Sequence, residues 1–316
     1  MKYVVIVDSM SNVPEHVLKA RPNLKVIPFN TKIGEQSEVD LTATEPLRDF
    51  YRSGALKDES NIDATCPTPE QISVFILNEI APHYDCAIFQ TTSAALSRMF
   101  TTLKECSESI EKEATLLRKI AGITTPFKLM ISNSGASSSG QTLLALYTDS
   151  LLNKGIDPST CVENSEHFKS KIRTHSVISD ILTSRNRMKF LGLKTIGLTT
   201  AVSGQVQRYA PIVMVSNELF KINELKIRYH DAVTALFSYA EMCIESGLHI
   251  PVVYVSYAGR MRDLHAMESF KSLQNTGKKH GVTVLSGMMS VSACINYSTS
   301  SISLGIAPQD ETIDPA

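Results

Sequence analysis

The stretch "FKLMISNSGASSSGQTLLALYTDSLLNKG", residues 127–155, decides the fold. Its opening apolar run, 127–134, reads as a strand. A glycine- and serine-rich turn follows. Apolar residues then recur at helical spacing until Gly155, a helix stop. Strand, turn and helix in that order are the building block of a parallel sheet covered by helices.

The turn "GASSSGQT" (135–142) also looks like a P-loop, G-x-x-x-x-G-K-[ST]. Gly135, Gly140 and Thr142 fit, but Gln141 stands where the lysine belongs. A neutral amide cannot bring charge to terminal phosphates, and no strand-borne aspartate offers to hold the metal ion. The pattern therefore argues against a nucleoside triphosphatase. Two readings stay open: a turn that caps a helix, or a helix entrance whose amides favour an anion.

The same alternation runs outward in both directions. Residues 3–9, 24–30 and 85–92 read as strands. Residues 13–20, 42–54, 68–82 and 97–120 read as helices, the first capped by Ser11 or Asn12. After the "GIDPST" stretch (155–160) the alternation loosens. Strands are expected at 193–200, 210–217, 249–259, 282–289 and 301–308, and helices at 230–247 and 262–281. The expectation is an α/β protein of two α/β domains with mostly parallel sheets, divided into 1–156 and 157–316.

Composition narrows the function. The 316 residues are 43% hydrophobic and 20% charged, and 31 Lys+Arg balance 32 Asp+Glu. No basic field argues for nucleic acid. No apolar run approaches the roughly 18 residues of a membrane span, so a cytoplasmic protein without stable membrane insertion is expected. The six cysteines (66, 86, 106, 161, 243, 294) are scattered without a C-x-x-C pair, as free buried thiols are. The eight histidines lack metal-ligand spacing. Neither a G-x-S-x-G elbow nor a nucleophile–base pair is legible.

Four segments could carry a site. "DATCPTP" (63–69) places Thr65 and Cys66 before a proline-started helix. "QTTSAALS" (90–97) places Thr91, Thr92, Ser93 and Ser97 where a strand gives way to a helix, the place where doubly wound sheets bind ligands. Both read equally as helix caps or as hydroxyls for a carboxylate or phosphate. At the end of the first strand, Asp8 and Ser9 offer a metal ligand or nucleophile, or a turn. The basic cluster "SRNRMKF" (184–190), with Arg185 and Arg187, offers an acidic partner a surface or is simply a solvated helix face.

Taken in order, these segments resemble the DegV family of fatty-acid-binding proteins. Val7-Asp8-Ser9 resembles the family's opening D-S. Ala64-Thr65-Cys66-Pro67-Thr68-Pro69 is similar to its T-S-Q-P-[ST]-P, with Ala64 replacing a threonine. Thr92-Ser93-Ala94-Ala95-Leu96-Ser97-Arg98 is similar to its S-S-x-L-S-G, with Arg98 replacing the glycine. "SNSGASSSGQT" resembles its serine- and glycine-rich segment, so the P-loop likeness is a coincidence. Arg228 matches a family arginine. Ser298 stands where the family has a histidine.

The resemblance implies a non-catalytic lipid carrier with no cofactor and no metal. It buries a long-chain fatty acid, which in some members is presented to a separate fatty-acid kinase. Carried over by position, the ligand-binding candidates are Thr65, Cys66, Thr92, Ser93, Ser97, Arg98 and Ser298. The alternative is an enzyme or sensor that takes a small carboxylated or phosphorylated metabolite at the same strand ends.

Overall fold

The computed structural model describes residues 2–56, 61–182, 185, 202, 204, 206, 209–216, 219–224, 228–313 and 315. The expected strand at 193–200 and most of the basic cluster 184–190 lie outside them.

Three sheets form. The first holds β1 (Tyr3–Asp8), β2 (Leu24–Ile27), β6 (Cys86–Thr91) and β7 (Lys128–Asn133) in the order β2-β1-β6-β7. Every neighbouring pair in it is parallel. The central strands β1 and β6 are nearly continuous apolar runs because helices cover both faces. A small antiparallel sheet of β3 (Asn30–Ile33), β4 (Gln36–Val39) and β5 (Ile62–Thr65) stands beside it. Polar residues in these four-residue strands hide them from periodicity.

The third sheet holds β8 (Arg173–Val177), β9 (Ile212–Ser216), β10 (Leu219–Glu224), β11 (Val252–Tyr257), β12 (Thr283–Met288) and β13 (Ile302–Ile306), in the order β10-β9-β8-β13-β11-β12. The protein is of the α/β class, but this sheet is mixed where a mostly parallel one was expected. Among the described pairs only β11–β12 is parallel. The pairs β10–β9, β9–β8, β8–β13 and β13–β11 are antiparallel. A parallel pair needs a long crossover, and two helices, α8 (Met261–Ala266) and α9 (Glu268–Lys279), supply it between β11 and β12.

The remaining described helices are α1 (Glu15–Ala20), α2 (Thr44–Ser53), α3 (Pro69–Phe75), α4 (Met99–Ile120), α5 (Ser139–Asn153), α6 (Pro158–Lys169), α7 (Tyr229–Ser246) and α10 (Val291–Tyr297). Thr68 and Gln71 form a capping box at the start of α3. The helix expected over 68–82 is α3 followed by a π-type turn at Ile76–Ile80. Asp157 caps α6, so "GIDPST" opens a helix.

Helix α5 is buried almost all round, as a helix between two layers must be. It packs on β1 of the first sheet and on β11 and β13 of the third. The approach to β13 is so close that a Cβ at Gly305 would lie 2.4 Å from the Ser139 carbonyl oxygen. A Cβ at Gly140 would lie 1.9 Å from Thr174 Oγ1. The stretch that reads first as half a β/α unit is the axle of the molecule.

Candidate functional site

In the first sheet, β1 is followed by β2 on one side, while β6 lies on its other side. The crevice at the carboxyl ends of β1 and β6 is therefore a topological switch point, where open α/β sheets hold ligands. Asp8 ends β1 and Thr92 follows β6 there, both fully buried.

A polar network fills the crevice. The Thr92 backbone N–H donates to Asp8 Oδ2 at 2.7 Å. Thr92 Oγ1 lies 2.7 Å from Asp8 Oδ1 and 2.8 Å from Gln141 Oε1. Gln141 Nε2 donates to Asp8 Oδ2 at 3.1 Å and to the Gln90 carbonyl at 3.0 Å. Burial pushes the Asp8 carboxyl up from the usual carboxylate range, against the hydrogen bonds it accepts. The Asp8 side chain does not cap the turn that follows it.

The serine run of "GASSSGQT" is spent at the seam between the layers. Ser137 Oγ meets Tyr297 OH at 2.6 Å. Ser138 Oγ accepts from Asn12 Nδ2 at 2.8 Å and meets Ser256 Oγ at 2.9 Å. Ser139 Oγ donates to the Ser303 carbonyl at 2.8 Å. Ser138, at the helix entrance, makes no side-chain cap bond. These hydroxyls join the turn and the start of α5 to α10 and the third sheet. Asn12, expected to cap the first helix, accepts from the Ser290 N–H at 2.8 Å as well, and α1 starts later, at Glu15.

From Thr92 the chain makes a tight turn into α4. The Ser93 N–H donates to the Ala136 carbonyl at 2.8 Å, and the Ser93 carbonyl accepts from Leu96 and Ser97. Ser93 Oγ accepts from the Ala95 N–H at 3.3 Å, and Ser97 Oγ from the Met99 N–H at 3.1 Å. Arg98 lies exposed at the rim. Cys66 faces this turn. Its Sγ is 3.9 Å from Thr102 Oγ1 on α4. Burial raises its thiol pKa, and it senses both the Arg98 guanidinium and Asp8. So Cys66, Thr92, Ser93, Ser97 and Arg98 gather around one turn. Thr65, at the end of β5, is exposed. Ser298 points its hydroxyl to Ser179, Asp180 and Ser301 instead.

Beneath the turn lies an apolar cluster that includes Ile72, Ile76, Met99, Leu103, Ile110 and Met289, with Cys66 packed at its edge. It joins the α3–α4 pair to the third sheet and α10. A groove of about 420 Å³, lined by Ile27, Val39, Pro67, Val74 and Phe75 among others, opens beside the Cys66 segment. Among the described residues, no group of three or more His, Cys, Asp or Glu is placed to hold a metal ion. None of the described helices is long and apolar enough to cross a membrane.

The model of the family described as "Uncharacterised protein, DegV family" matches residues 2–308. The chain belongs to the DegV family. A DegV domain-containing protein of Xanthomonas axonopodis pv. citri is 24% identical over 310 residues, 98% of both chains. Among solved structures, a DegV lipid binding protein from Thermotoga maritima superposes with a TM-score of 0.75 at 15% identity, covering 98% of this chain and 99% of that one. DegV, a fatty acid binding protein from Bacillus subtilis, gives 0.73 at 15% identity, with 98% and 100% covered. At such identities the likeness establishes a shared DegV fold.

Sequence reasoning passed over two partners of the site. Gln141 reads as a failed P-loop lysine, yet it is the amide that ties Asp8 to Thr92. Asp40 carries no local pattern, yet its carboxylate accepts from Ser9 Oγ at 2.6 Å and from the Ser292 N–H at 3.1 Å. The D-S pair at the end of β1 was the only signal for either.

Proposed function

We propose that this protein is a carrier that buries a long-chain fatty acid. The carboxylate sits at the 92–98 turn, with Ser93 and Ser97 as donors and Arg98 at the rim. The tail enters the apolar cluster between α3, α4 and the third sheet. In this reading residues 1–156 carry the head-group site and residues 157–316 cover the tail.

The observation that carries the reading is the position of Cys66. It packs on the apolar cluster, and its Sγ lies 3.9 Å from Thr102 Oγ1 in the first turn of α4, just after the polar 92–98 turn. Polar turn and apolar interior therefore meet at one residue, as an amphipathic acid requires. The energetics favour such a ligand, because each buried methylene contributes about 0.8 kcal/mol. A few placed donors then suffice to orient the head. The fatty-acid binding of DegV from Bacillus subtilis, which shares the fold, agrees with the reading.

The protein does no chemistry on its cargo in this reading. Both oxygens of Asp8, the strongest candidate for a reactive group, are engaged by Thr92 and Gln141. That disfavours a metabolite enzyme at the same strand ends. Presentation of the carboxylate past exposed Arg98 to a separate acyl kinase belongs to the same proposal, as does a cytoplasmic location.

Titration of delipidated protein with oleate tests it. Saturable uptake is expected. Failure to take up either oleate or palmitate would turn attention to a polar ligand.

A further inference from the structure

The proton count around Asp8 does not close with an ionised carboxylate. Thr92 Oγ1 has a single hydrogen but faces two acceptors, Asp8 Oδ1 at 2.7 Å and Gln141 Oε1 at 2.8 Å. Both hydrogens of Gln141 Nε2 are in use, on Asp8 Oδ2 and on the Gln90 carbonyl. With Asp8 ionised, one pair of lone pairs is left face to face in a fully buried site.

Turning the Gln141 amide over does not help. Its oxygen would then face Asp8 Oδ2 and the Gln90 carbonyl, two acceptors in place of one. A proton on Asp8 Oδ1 resolves everything in the first orientation. Asp8 O–H donates to Thr92 Oγ1, Thr92 O–H donates to Gln141 Oε1, and Asp8 Oδ2 keeps the Thr92 N–H and Gln141 Nε2.

We infer that Asp8 is a neutral carboxylic acid in the folded protein and a positioning residue for the head-group turn. Its hydrogen-bond chain fixes Thr92, the residue before Ser93, and puts no negative charge behind the turn. The ligand part of this inference rests on the fatty-acid reading; the proton does not.

The surroundings are consistent. Among the residues packed around it, Gln90 and Thr92 after β6 and Gln141 on α5 bring no charge, and the Met10 backbone N–H favours the anion but is outweighed by burial. Cys66, from the β5–α3 segment, is a thiol whose pKa burial raises. Arg98 is exposed at the rim. On the far side Ser9 donates to Asp40, a second buried acid whose pKa burial raises. An anion at Asp8 would stand behind an incoming ligand carboxylate, and its hydrogen-bond partners Thr92 and Gln141 bring no cation to offset it.

The decisive experiment is the infrared spectrum at neutral pH of the wild type and of Asp8→Asn. The wild type is expected to show the carbonyl stretch of a protonated carboxylic acid, and Asp8→Asn to lose it. An unchanged difference spectrum in that region would overturn the inference.

Oleate titration reads the positioning role. Asp8→Ala is expected to weaken binding by about tenfold or more, one broken link in a buried chain of hydrogen bonds. Asp8→Asn, which donates to Thr92 Oγ1 through its amide and accepts at the other oxygen, is expected to restore it. Loss of binding in Asp8→Asn despite a native fold would contradict a role exercised by a neutral group. If the wild type itself takes up no oleate, the carrier reading fails, while the infrared band still decides the proton.

Discussion

The Ser292 backbone N–H donates to Asp40 Oδ1 across 3.1 Å, and the Ser292 hydroxyl donates to Asp40 Oδ2. This contact ties the segment after β4 to the first turn of α10, 252 positions along the chain. Ser9 donates to the same carboxylate. One buried acid thus gathers the end of β1, the small sheet and the C-terminal helix. Asp40→Ala leaves these donors without an acceptor and should cost about 2–4 kcal/mol in denaturant unfolding. A change below about 0.5 kcal/mol would mean that water replaces the carboxylate.

The contact of α5 with β13 predicts a steric phenotype. Gly305→Ala drives a methyl group into the Ser139 carbonyl, which belongs to the fully buried first turn of a helix packed between two layers and cannot withdraw. About 3 kcal/mol of destabilisation is expected in thermal or urea melts, at the upper end for overpacking. A native-like melt would require α5 to slide away from the third sheet, which loss of the Ser139–Ser303 bond would reveal.

The pH dependence separates two kinds of acid. Burial works to raise the Asp85 carboxyl, but the Lys2 N–H and the buried Arg118 guanidinium overcome it, and the pKa is lowered. Its stabilising contribution is present above the unfolded-state pKa and is lost as pH falls through the lower folded value. Asp8 and Asp40 have the opposite sign, since burial raises both. Their contribution is present below the unfolded value and lost as pH rises through the folded one. Arg118→Ala should therefore flatten the acid limb of the stability profile, and Asp8→Asn the alkaline limb. Arg118→Lys should not rescue the first, because Arg118 also donates to the carbonyls of Ala81, Tyr84 and Thr125, which needs the planar fork.

Ser93 carries the binding prediction. Ser93→Ala should weaken oleate affinity by about 1–3 kcal/mol, the cost of one unpaired carboxylate oxygen. Isothermal titration of the delipidated variant measures it. Unchanged affinity would place the head group elsewhere on the rim.

Much of the first half was legible in the sequence because parallel strands buried on both faces read as apolar runs between capped helices. Residues 3–9 and 85–92 become β1 and β6 in this way, and 127–134 becomes the partly buried edge strand β7. The small sheet was not legible, since β4 is fully exposed and polar. Nor was β8, whose polar residues Thr174, His175 and Ser176 are buried. Only tertiary packing makes such residues strand interior.

The site divided along similar lines. Thr92, Ser93, Ser97 and Arg98 follow one strand end, so their grouping is local and readable. Cys66 reaches them only because α3 packs on α4. The roles of Gln141 and Asp40 depend on contacts 49 and 252 positions away, which no local pattern encodes.

The central claim is tested most directly by native mass spectrometry of the protein as purified, with extraction of what it holds. The carrier account predicts an adduct of fatty-acid mass that extraction releases as a free acyl chain. A clean apo mass that stays unchanged after incubation with oleate or palmitate would contradict it.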